Sequence, residues 1–356
     1  MFAGIGALTT GSTLQLAITG RGGVASDAAA VSLNVTVTNG IGAGYLTVFP
    51  CGSPQPTASN LNYTVGATVP NAVVAKVGDG GAVCIFVSVT TDVIVDVNGY
   101  FPAGTSLKPI NPARVLETRP GEVTVDGLQQ GAGASVGGSV TAVTIAGRAG
   151  VPGDAVAAVL NVTVTDPVAA GYATVYPCGD TPPTASNINY VPGLTVANLA
   201  LSKIGEGGAV CIFTQSTTHI IVDVGGYFPS GSDYHALLPA RLLETRSGLS
   251  TIDGQFNGLG TAGIGTITPL QVTGRGGVPA GASTVVLNVT VTGPTVPGYV
   301  TAYPCGIDPP LASNLNFVGG QTVANAVIVK LSNDGKVCLF TSNATELIAD
   351  VNGYLP

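Results

Sequence analysis

The stretch Val48-Phe-Pro-Cys-Gly52 returns as Val175-Tyr-Pro-Cys-Gly179 and as Ala302-Tyr-Pro-Cys-Gly306, so one motif occurs three times at intervals of 127 residues. A second cysteine follows each motif cysteine after 33 residues in every copy. Because both spacings are conserved throughout, the sequence indicates a tandem array without insertions or deletions. The chain of 356 residues is therefore interpreted as one module repeated three times.

The same interval separates Tyr-Phe-Pro102, Tyr-Phe-Pro229 and Tyr-Leu-Pro356, which we take as the ends of the units. We therefore expect three domains, which are unit 1 at residues 1–102, unit 2 at residues 103–229 and unit 3 at residues 230–356. Unit 1 lacks the stretch found at 103–127 and 230–254, because Met1 aligns with Leu128. The opening residues 1–8 have no basic start and are interpreted as part of the module rather than as a signal peptide.

Composition narrows the structural class. Charged residues make up 9% of the chain, whereas ordinary domains contain about 25%. Hydrophobic residues make up 45%, many of them β-branched, and this content favours a folded all-β protein over a disordered one. Gly and Pro interrupt every apolar stretch before it reaches the length of a membrane-spanning helix, so no membrane span is expected.

Two cysteines per unit predict one disulfide per unit. Six cysteines allow fifteen pairings in general, but a repeat requires the same pairing in every copy. The predicted bonds are Cys51–Cys84, Cys178–Cys211 and Cys305–Cys338. A metal site is the rival interpretation, but it would need further ligands, and the only two histidines do not recur between units. Disulfides imply an oxidising compartment and hence an extracellular or cell-surface location.

Strand patterns predict about seven strands per unit. Residues 31–38 alternate between apolar and polar side chains, which predicts one face against a core and one face in water. Residues 71–77, 82–87 and 92–97 read as a three-stranded antiparallel meander joined by tight turns. Seven strands suffice for two sheets around one core, so we expect three β-sandwich or jelly-roll-like domains in a row.

Asn-x-Thr triplets fall within these alternating strands at Asn34, Asn161 and Asn288. A glycosylation acceptor belongs on an exposed loop, so we interpret the three triplets as strand residues.

Charged side chains recur at matched positions in the units, and ten of the twelve basic residues do so. A charge within an apolar strand is costly unless it is paired. We predict structural charge pairs in which each aspartate of the strand Asp-Val-x-Gly-Tyr contacts an arginine, a lysine or backbone amides. The candidate residues are Arg21, Asp96, Arg148, Asp223, Arg275 and Asp350. The alternative is a repeated ligand site in which these residues grip a sugar or an acidic polymer.

Catalytic and nucleic-acid-binding functions are not expected. A Ser-His-Asp device needs a histidine with partners, but His219 is replaced by acidic residues in the other units and His235 by Lys108 in unit 2. The net charge of −7 and the lack of a basic stripe argue against nucleic acid. We predict neither a cofactor nor a metal.

The segment Pro112-Ala-Arg-Val-Leu-Glu-Thr-Arg119 recurs as Pro239-Ala-Arg-Leu-Leu-Glu-Thr-Arg246, and Asp-Val-x-Gly-Tyr-Phe stands at 96–101 and 223–228. These motifs resemble tandem β-repeats of secreted and cell-surface proteins of actinobacteria and other environmental bacteria. The resemblance covers essentially the whole chain and implies an extracellular module, but it assigns no catalytic or binding residues.

These observations lead to two functional hypotheses. The first is a non-enzymatic extracellular structural protein, such as a stalk, a surface-layer protein or a self-associating filament subunit. If the Pro-Ala-Arg segment completes a sheet, unit 1 exposes an edge for strand pairing. The alternative is a carbohydrate- or cell-wall-binding module that stacks glycans on Tyr45, Tyr172 and Tyr299.

Overall fold

A computed structural model of the protein describes residues 4–356, and the regular secondary structure of these residues is almost entirely β-strand. Residues 1–3, which we assign to the first unit, lie outside the described part. Unit 1 contains β1 (Thr13–Ala17), β2 (Ala28–Thr38), β3 (Gly44–Pro50), β4 (Leu61–Tyr63), β5 (Val69–Lys76), β6 (Ala82–Val87) and β7 (Asp92–Pro102). Unit 2 contains β8 (Lys108–Glu117), β9 (Ser139–Thr144), β10 (Ala155–Thr165), β11 (Gly171–Pro177), β12 (Ile188–Tyr190), β13 (Val196–Lys203), β14 (Ala209–Thr214) and β15 (His219–Pro229). Unit 3 contains β16 (His235–Glu244), β17 (Thr266–Gln271), β18 (Thr284–Thr292), β19 (Gly298–Pro304), β20 (Leu315–Phe317), β21 (Val323–Lys330), β22 (Lys336–Thr341) and β23 (Glu346–Leu355).

Two single-turn 3₁₀ helices, Asp79–Gly81 and Glu206–Gly208, accompany the strands, and residues 4–356 contain no α-helix. The all-β prediction is therefore confirmed. No helix within these residues is long and apolar enough to cross a membrane.

Each unit folds into two antiparallel sheets that face each other. One sheet has the order β1-β6-β3-β4 in unit 1, with β9-β14-β11-β12 and β17-β22-β19-β20 in units 2 and 3. The other has the order β5-β2-β7 in unit 1, β13-β10-β15-β8 in unit 2 and β21-β18-β23-β16 in unit 3. A buried cluster of Val, Leu, Ile and Ala side chains from both sheets fills the space between them in every unit.

The predicted meander is wrong. β5 and β7 both pair with β2, whereas β6 lies between β1 and β3 in the facing sheet. The connection between β5 and β6 forms a 3₁₀ turn over the cysteine-containing end of β3, where Asp79 donates its amide hydrogen to the Cys51 carbonyl at 2.8 Å. This connection directs the chain to the second sheet, so it is not a hairpin turn.

One disulfide per unit is present, as predicted. The bonds join Cys51 to Cys84, Cys178 to Cys211 and Cys305 to Cys338. Each bond links the end of a motif strand, such as β3, to the paired strand of the same sheet, such as β6. The bonds therefore hold the sheet that lies opposite the Pro-Ala-Arg strands.

The two Pro-Ala-Arg segments form strands of the units that follow them. β8 pairs with β15 through Asp223↔Arg114, and β16 pairs with β23 through Arg241↔Asp350. Each segment therefore adds a fourth, outermost strand to its sheet. The corresponding sheet of unit 1 has three strands among the described residues, and β7 lies at its edge.

The expectation of three separate domains in a row is wrong, because the units close into a propeller-like ring of six sheets. Asn71 of unit 1 donates to Asn161 of unit 2, Asn198 to Asn288 of unit 3, and Asn325 back to Asn34 of unit 1. Apolar side chains of all three units meet in a further buried cluster at the centre. Its members are Ala30, Ala72, Val74, Leu107, Ala157, Val159, Leu199, Leu201, Phe228, Tyr234, Val286 and Ala326. A linear array would leave these surfaces exposed, and their burial favours closure.

Candidate functional site

The polar face of β2 is not exposed to water, contrary to the prediction from its alternating pattern. Ser32, Asn34 and Thr36 are all buried, as are the apolar residues on the other face. The Asn34 side chain donates to the Ser313 carbonyl of unit 3 at 2.7 Å. The polar residues of this strand therefore form the interface between units, which explains why Asn-x-Thr lies in a strand here rather than on an exposed loop.

An asparagine in each innermost strand connects neighbouring units. Asn71 donates to the Asn161 side chain at 2.9 Å and accepts a hydrogen bond from the Leu199 amide at 3.2 Å. Asn198 and Asn325 make the matching contacts with the next unit around the ring. These three residues were not among the predicted site residues, although an asparagine at a repeated position in an apolar strand is a signal that could have identified them.

A buried ionic network fixes the outermost strand of unit 2. Arg114 in β8 donates through Nε to Asp223 of β15 at 2.9 Å and through Nη1 to Glu117 at 3.1 Å. Arg119 contacts the same glutamate at 2.8 Å. Burial opposes ionisation of Glu117, but its hydrogen bonds and ion pairs with the arginines lower the glutamate pKa overall. The network satisfies charges that would be costly if buried alone.

Unit 3 repeats this network with corresponding residues. Arg241 in β16 donates to Asp350 of β23 at 2.9 Å and to Glu244 at 3.0 Å. Two Pro-Ala-Arg strands are thus joined to their sheets in the same way.

The predicted charge-pair residues form salt bridges in units 2 and 3. However, the predicted arginines do not pair with the predicted aspartates. Arg148 binds Asp126 through two hydrogen bonds of 2.8 Å, and Arg275 binds Asp253 in the same manner. Arg21 lies at the matching position of unit 1 and donates to the Ala17 carbonyl at 2.8 Å. The arginines and aspartates serve different connections because the Pro-Ala-Arg strand supplies its own arginine to the aspartate.

In unit 1, the edge strand β7 is much more exposed than its counterparts. Ile94 is 49% exposed, whereas the matched Ile221 of β15 is 4% exposed. Val97 is 36% exposed, whereas Val224 is completely buried. Because β8 covers β15 and no strand among residues 4–356 covers the outer edge of β7, the difference comes from the fourth strand.

Asp96 occupies the position of Asp223 in this exposed strand. It accepts a hydrogen bond from the Ser313 backbone, as Asp223 does from the Ser59 amide, but it forms no salt bridge with the residues the structure describes. Burial raises the Asp96 pKa above its usual range, and the hydrogen bond from Ser313 offsets only part of this rise. A partly buried carboxylate at an open strand edge favours a cationic partner.

A groove of about 340 Å³ continues from the edge of β7 towards the centre of the ring. Its lining includes Tyr100 and Phe101 of β7, Ile328 of β21 and Leu355 of β23. A Cβ atom added to Gly99 would meet no atom within 4 Å, whereas at the matched Gly353 it would clash with the Tyr234 ring. Open space in unit 1 thus corresponds to a filled position in unit 3.

The three candidate stacking tyrosines lie apart from this edge on the other sheets. Tyr45 and Tyr299 are each 38% exposed, and Tyr172 is half-buried. Each ring packs at an angle against a phenylalanine of the neighbouring strand, with centroid distances of 5.8 to 5.9 Å. One ring face is therefore partly occupied within the protein. No group of three or more His, Cys, Asp or Glu side chains within residues 4–356 is placed to hold a metal ion.

The sequence matches no family model and no curated protein. Among solved structures, it is similar to a chain from the Sulfolobus turreted icosahedral virus, with 9% identity, 98% of this chain and 85% of that chain covered, and a TM-score of 0.21. A chain from a study of the triple jelly roll fold and turret assembly in an archaeal virus is 9% identical over 97% of this chain and 91% of its own, with a TM-score of 0.20. The CBM22-1–CBM22-2 tandem domain of Xyn10C from Paenibacillus barcinonensis is 11% identical over 71% of this chain and 99% of its own, with a TM-score of 0.18. TM-scores of this size carry no inference about fold or function.

Proposed function

We propose that this protein is a non-enzymatic extracellular structural protein, a subunit of a stalk, surface layer or filament that joins its neighbour by strand pairing at β7. One observation carries the proposal: β7 is a sheet edge with exposed apolar residues, whereas its two counterparts in the same chain are covered. Exposed edges of this kind readily accept strands from other chains.

Other properties of the molecule support a structural role. The three disulfides are typical of proteins that fold in an oxidising compartment. The closed ring and its buried ionic networks give a rigid body with few charged side chains at its surface. Because the surface carries few charges, electrostatic repulsion between copies is weak. An open strand edge on such a surface is therefore a site where subunits can meet.

Negative-stain electron microscopy of the non-reduced protein over a concentration series tests this function. We expect single rings at low concentration and larger, regularly connected particles at high concentration. Single rings at every concentration would contradict the assembly role.

Glycan binding is the second candidate, and the half-exposed rings of Tyr45 and Tyr299 favour it. Aromatic rings with one accessible face can stack on sugars, although the packing of each tyrosine on a phenylalanine also suits a purely structural role. Screening the protein and its Tyr45→Ala/Tyr299→Ala double variant on a glycan array separates these roles. A glycan signal that is lost in the variant supports binding, and equal signals or none exclude these tyrosines as a site.

A further inference from the structure

The geometry points to the partner of the β7 edge: an extended strand with the pattern of β8 and β16, supplied by a second copy of this chain. This inference rests on the proposed assembly function and specifies the strand that the edge accepts. The pattern is an apolar residue that enters the groove, followed seven residues later by arginine and then by glutamate three residues further. Leu107, Arg114 and Glu117 provide it in unit 2, and Tyr234, Arg241 and Glu244 provide it in unit 3.

The two complete sheets pair their outermost strands in the same register. Arg114 lies opposite Asp223 and Arg241 lies opposite Asp350 in the two complete sheets. Asp96 holds the same place in β7, and its carboxylate has a backbone hydrogen bond but no salt bridge among the described residues. A strand in this register therefore brings an arginine to Asp96, where a charge-assisted hydrogen bond can form.

The groove beside β7 has room for an apolar side chain. In unit 3, the Tyr234 ring lies over Gly353 and packs on Phe228 at a centroid distance of 4.4 Å. The matching positions of the groove are Gly99 and Leu355, and both line open space. An apolar side chain placed seven residues before the arginine would fill this space and join the central cluster.

Charge disfavours a second copy of β7 as the partner. β7 carries Asp92 and Asp96 and has no basic residue, so two such edges would bring carboxylates together. Within residues 4–356, both strands of the required kind are already paired with β15 and β23. A second copy of this chain therefore fits the edge by exchanging its β8 strand, and not by pairing through its own β7 strand.

The test uses a synthetic peptide with the sequence of residues 103–119 and the full-length, non-reduced protein. Isothermal titration calorimetry should show one peptide bound per protein, and binding should reverse the association of the protein alone. A peptide with Arg114→Ala and a protein with Asp96→Asn should each bind about tenfold more weakly, because each removes the same ion pair. Asp96→Asn leaves the fold intact, since Asp96 is bonded to a backbone amide that asparagine can also satisfy.

A second variant tests the same strand pairing without a free peptide. Residues 103–127 fused directly before Met1 continue the repeat frame and present the strand to β7 within one chain. This fusion should protect the β7 amides from hydrogen exchange and abolish peptide binding. Unchanged exchange of β7 in the fusion, or equal binding of the wild-type and Arg114→Ala peptides, would overturn the inference.

The two proposals fail in different ways. In one case, the protein associates and loses association when β7 is altered, but the peptide does not bind and the fusion does not protect β7. This result would leave the assembly role intact and reject this strand as the partner. Absence of both association and strand binding would reject both proposals.

Discussion

At the residue scale, the aspartate of the Asp-Val-x-Gly-Tyr motif has two different environments in one chain. Asp223 and Asp350 are buried with an arginine partner, whereas Asp96 is half-buried and bonded only to a backbone amide among the described residues. The same side chain therefore has opposite consequences for stability in unit 1 and in unit 2. Burial raises the pKa of the carboxylate in both places, but an arginine lies beside Asp223 and none lies beside Asp96 among the described residues.

Replacing these aspartates should therefore give opposite results. Asp223→Asn removes the cross-strand charge partner of the buried Arg114 and leaves it only Glu117. We therefore expect a loss of about 3 kcal/mol in the free energy of unfolding. Asp96→Asn removes a carboxylate whose pKa is raised by burial, so the melting temperature at pH 7 should rise. Because the folded-state pKa of Asp96 is raised, this gain should shrink as the pH falls through that pKa towards the value of the unfolded chain. Chemical and thermal denaturation measure both effects, and equal destabilisation by the two variants would contradict the account.

A second prediction concerns the stability of the protein at low pH. Hydrogen bonds from Arg148 and Arg275 hold the pKa values of Asp126 and Asp253 at about 2, well below the usual value. A lowered acid pKa contributes stability above the unfolded pKa near 4, and this contribution is lost as the pH falls from about 4 to 2. The melting temperature of the wild type should fall through this window. The Asp126→Asn/Asp253→Asn double variant should fall less steeply, and identical curves would exclude these two ion pairs as a cause.

At the residue scale, the sequence predicts the disulfides but not the contacts between the units. The repeated Cys spacing gave the disulfides directly, because each unit must pair its cysteines identically. The arginine partner of Asp223 could not be chosen from the sequence, since Arg114 and Arg148 both recur with the motif and only the strand pairing distinguishes them. The repeated asparagine in an apolar strand marks Asn71 as unusual, but the sequence does not show that its partners lie in a neighbouring unit.

At the element scale, β7 shows how one missing strand neighbour changes an otherwise repeated structure. β7 and β15 have nearly the same sequence, and on one side they pair with the equivalent strands β2 and β10. Their other sides differ, because β8 covers β15 and the described residues provide no such cover for β7. Edge exposure therefore comes from the arrangement of elements and not from the composition of the strand.

A charge placed at the edge should separate assembly from folding. Ile94→Lys adds a lysine at a side chain that is 49% exposed, so the melting temperature should change little while concentration-dependent association is lost. Ile221→Lys is the matched control, because Ile221 is 4% exposed and the buried lysine should destabilise unit 2 strongly. Light scattering and thermal melts measure the two properties. Undiminished association of the folded Ile94→Lys protein would show that β7 is not the contact.

Alternation identified the core face of β2 but not the environment of its other face. Val31, Leu33 and Val35 point into the core of unit 1, as predicted. Asn34 and Thr36 look like solvent-facing residues in a single sandwich, and they are buried only because another unit packs on them. The strand pairing of β5 and β6 was mispredicted for a related reason, since a glycine-rich connection suits either a hairpin or a crossing between sheets.

At the scale of the whole molecule, the ring joins the three units into one body. Each unit contributes a core of its own, and the central cluster together with the asparagine contacts connects every unit to both others. Repeat counting predicted three units but not their closure, because closure depends on surfaces that no local pattern marks.

Solution scattering distinguishes the ring from a linear array. A compact body of this length should have a radius of gyration of about 20 Å, whereas three separate domains in a row should give about 30 Å. The closed ring should also unfold in a single cooperative transition, with the calorimetric enthalpy close to the van't Hoff enthalpy. A radius near the larger value, or three independent transitions, would contradict closure.

The most direct test of the account is sedimentation velocity of the wild type and of the fusion that carries residues 103–127 before Met1, over the same concentration series. The two proteins differ only in the strand offered to β7. We predict that the wild type forms larger species as its concentration rises, while the fusion sediments as a single ring throughout. Identical behaviour of the two proteins, whether both associate or both remain monomeric, would contradict the claim that the open edge of unit 1 is the assembly site.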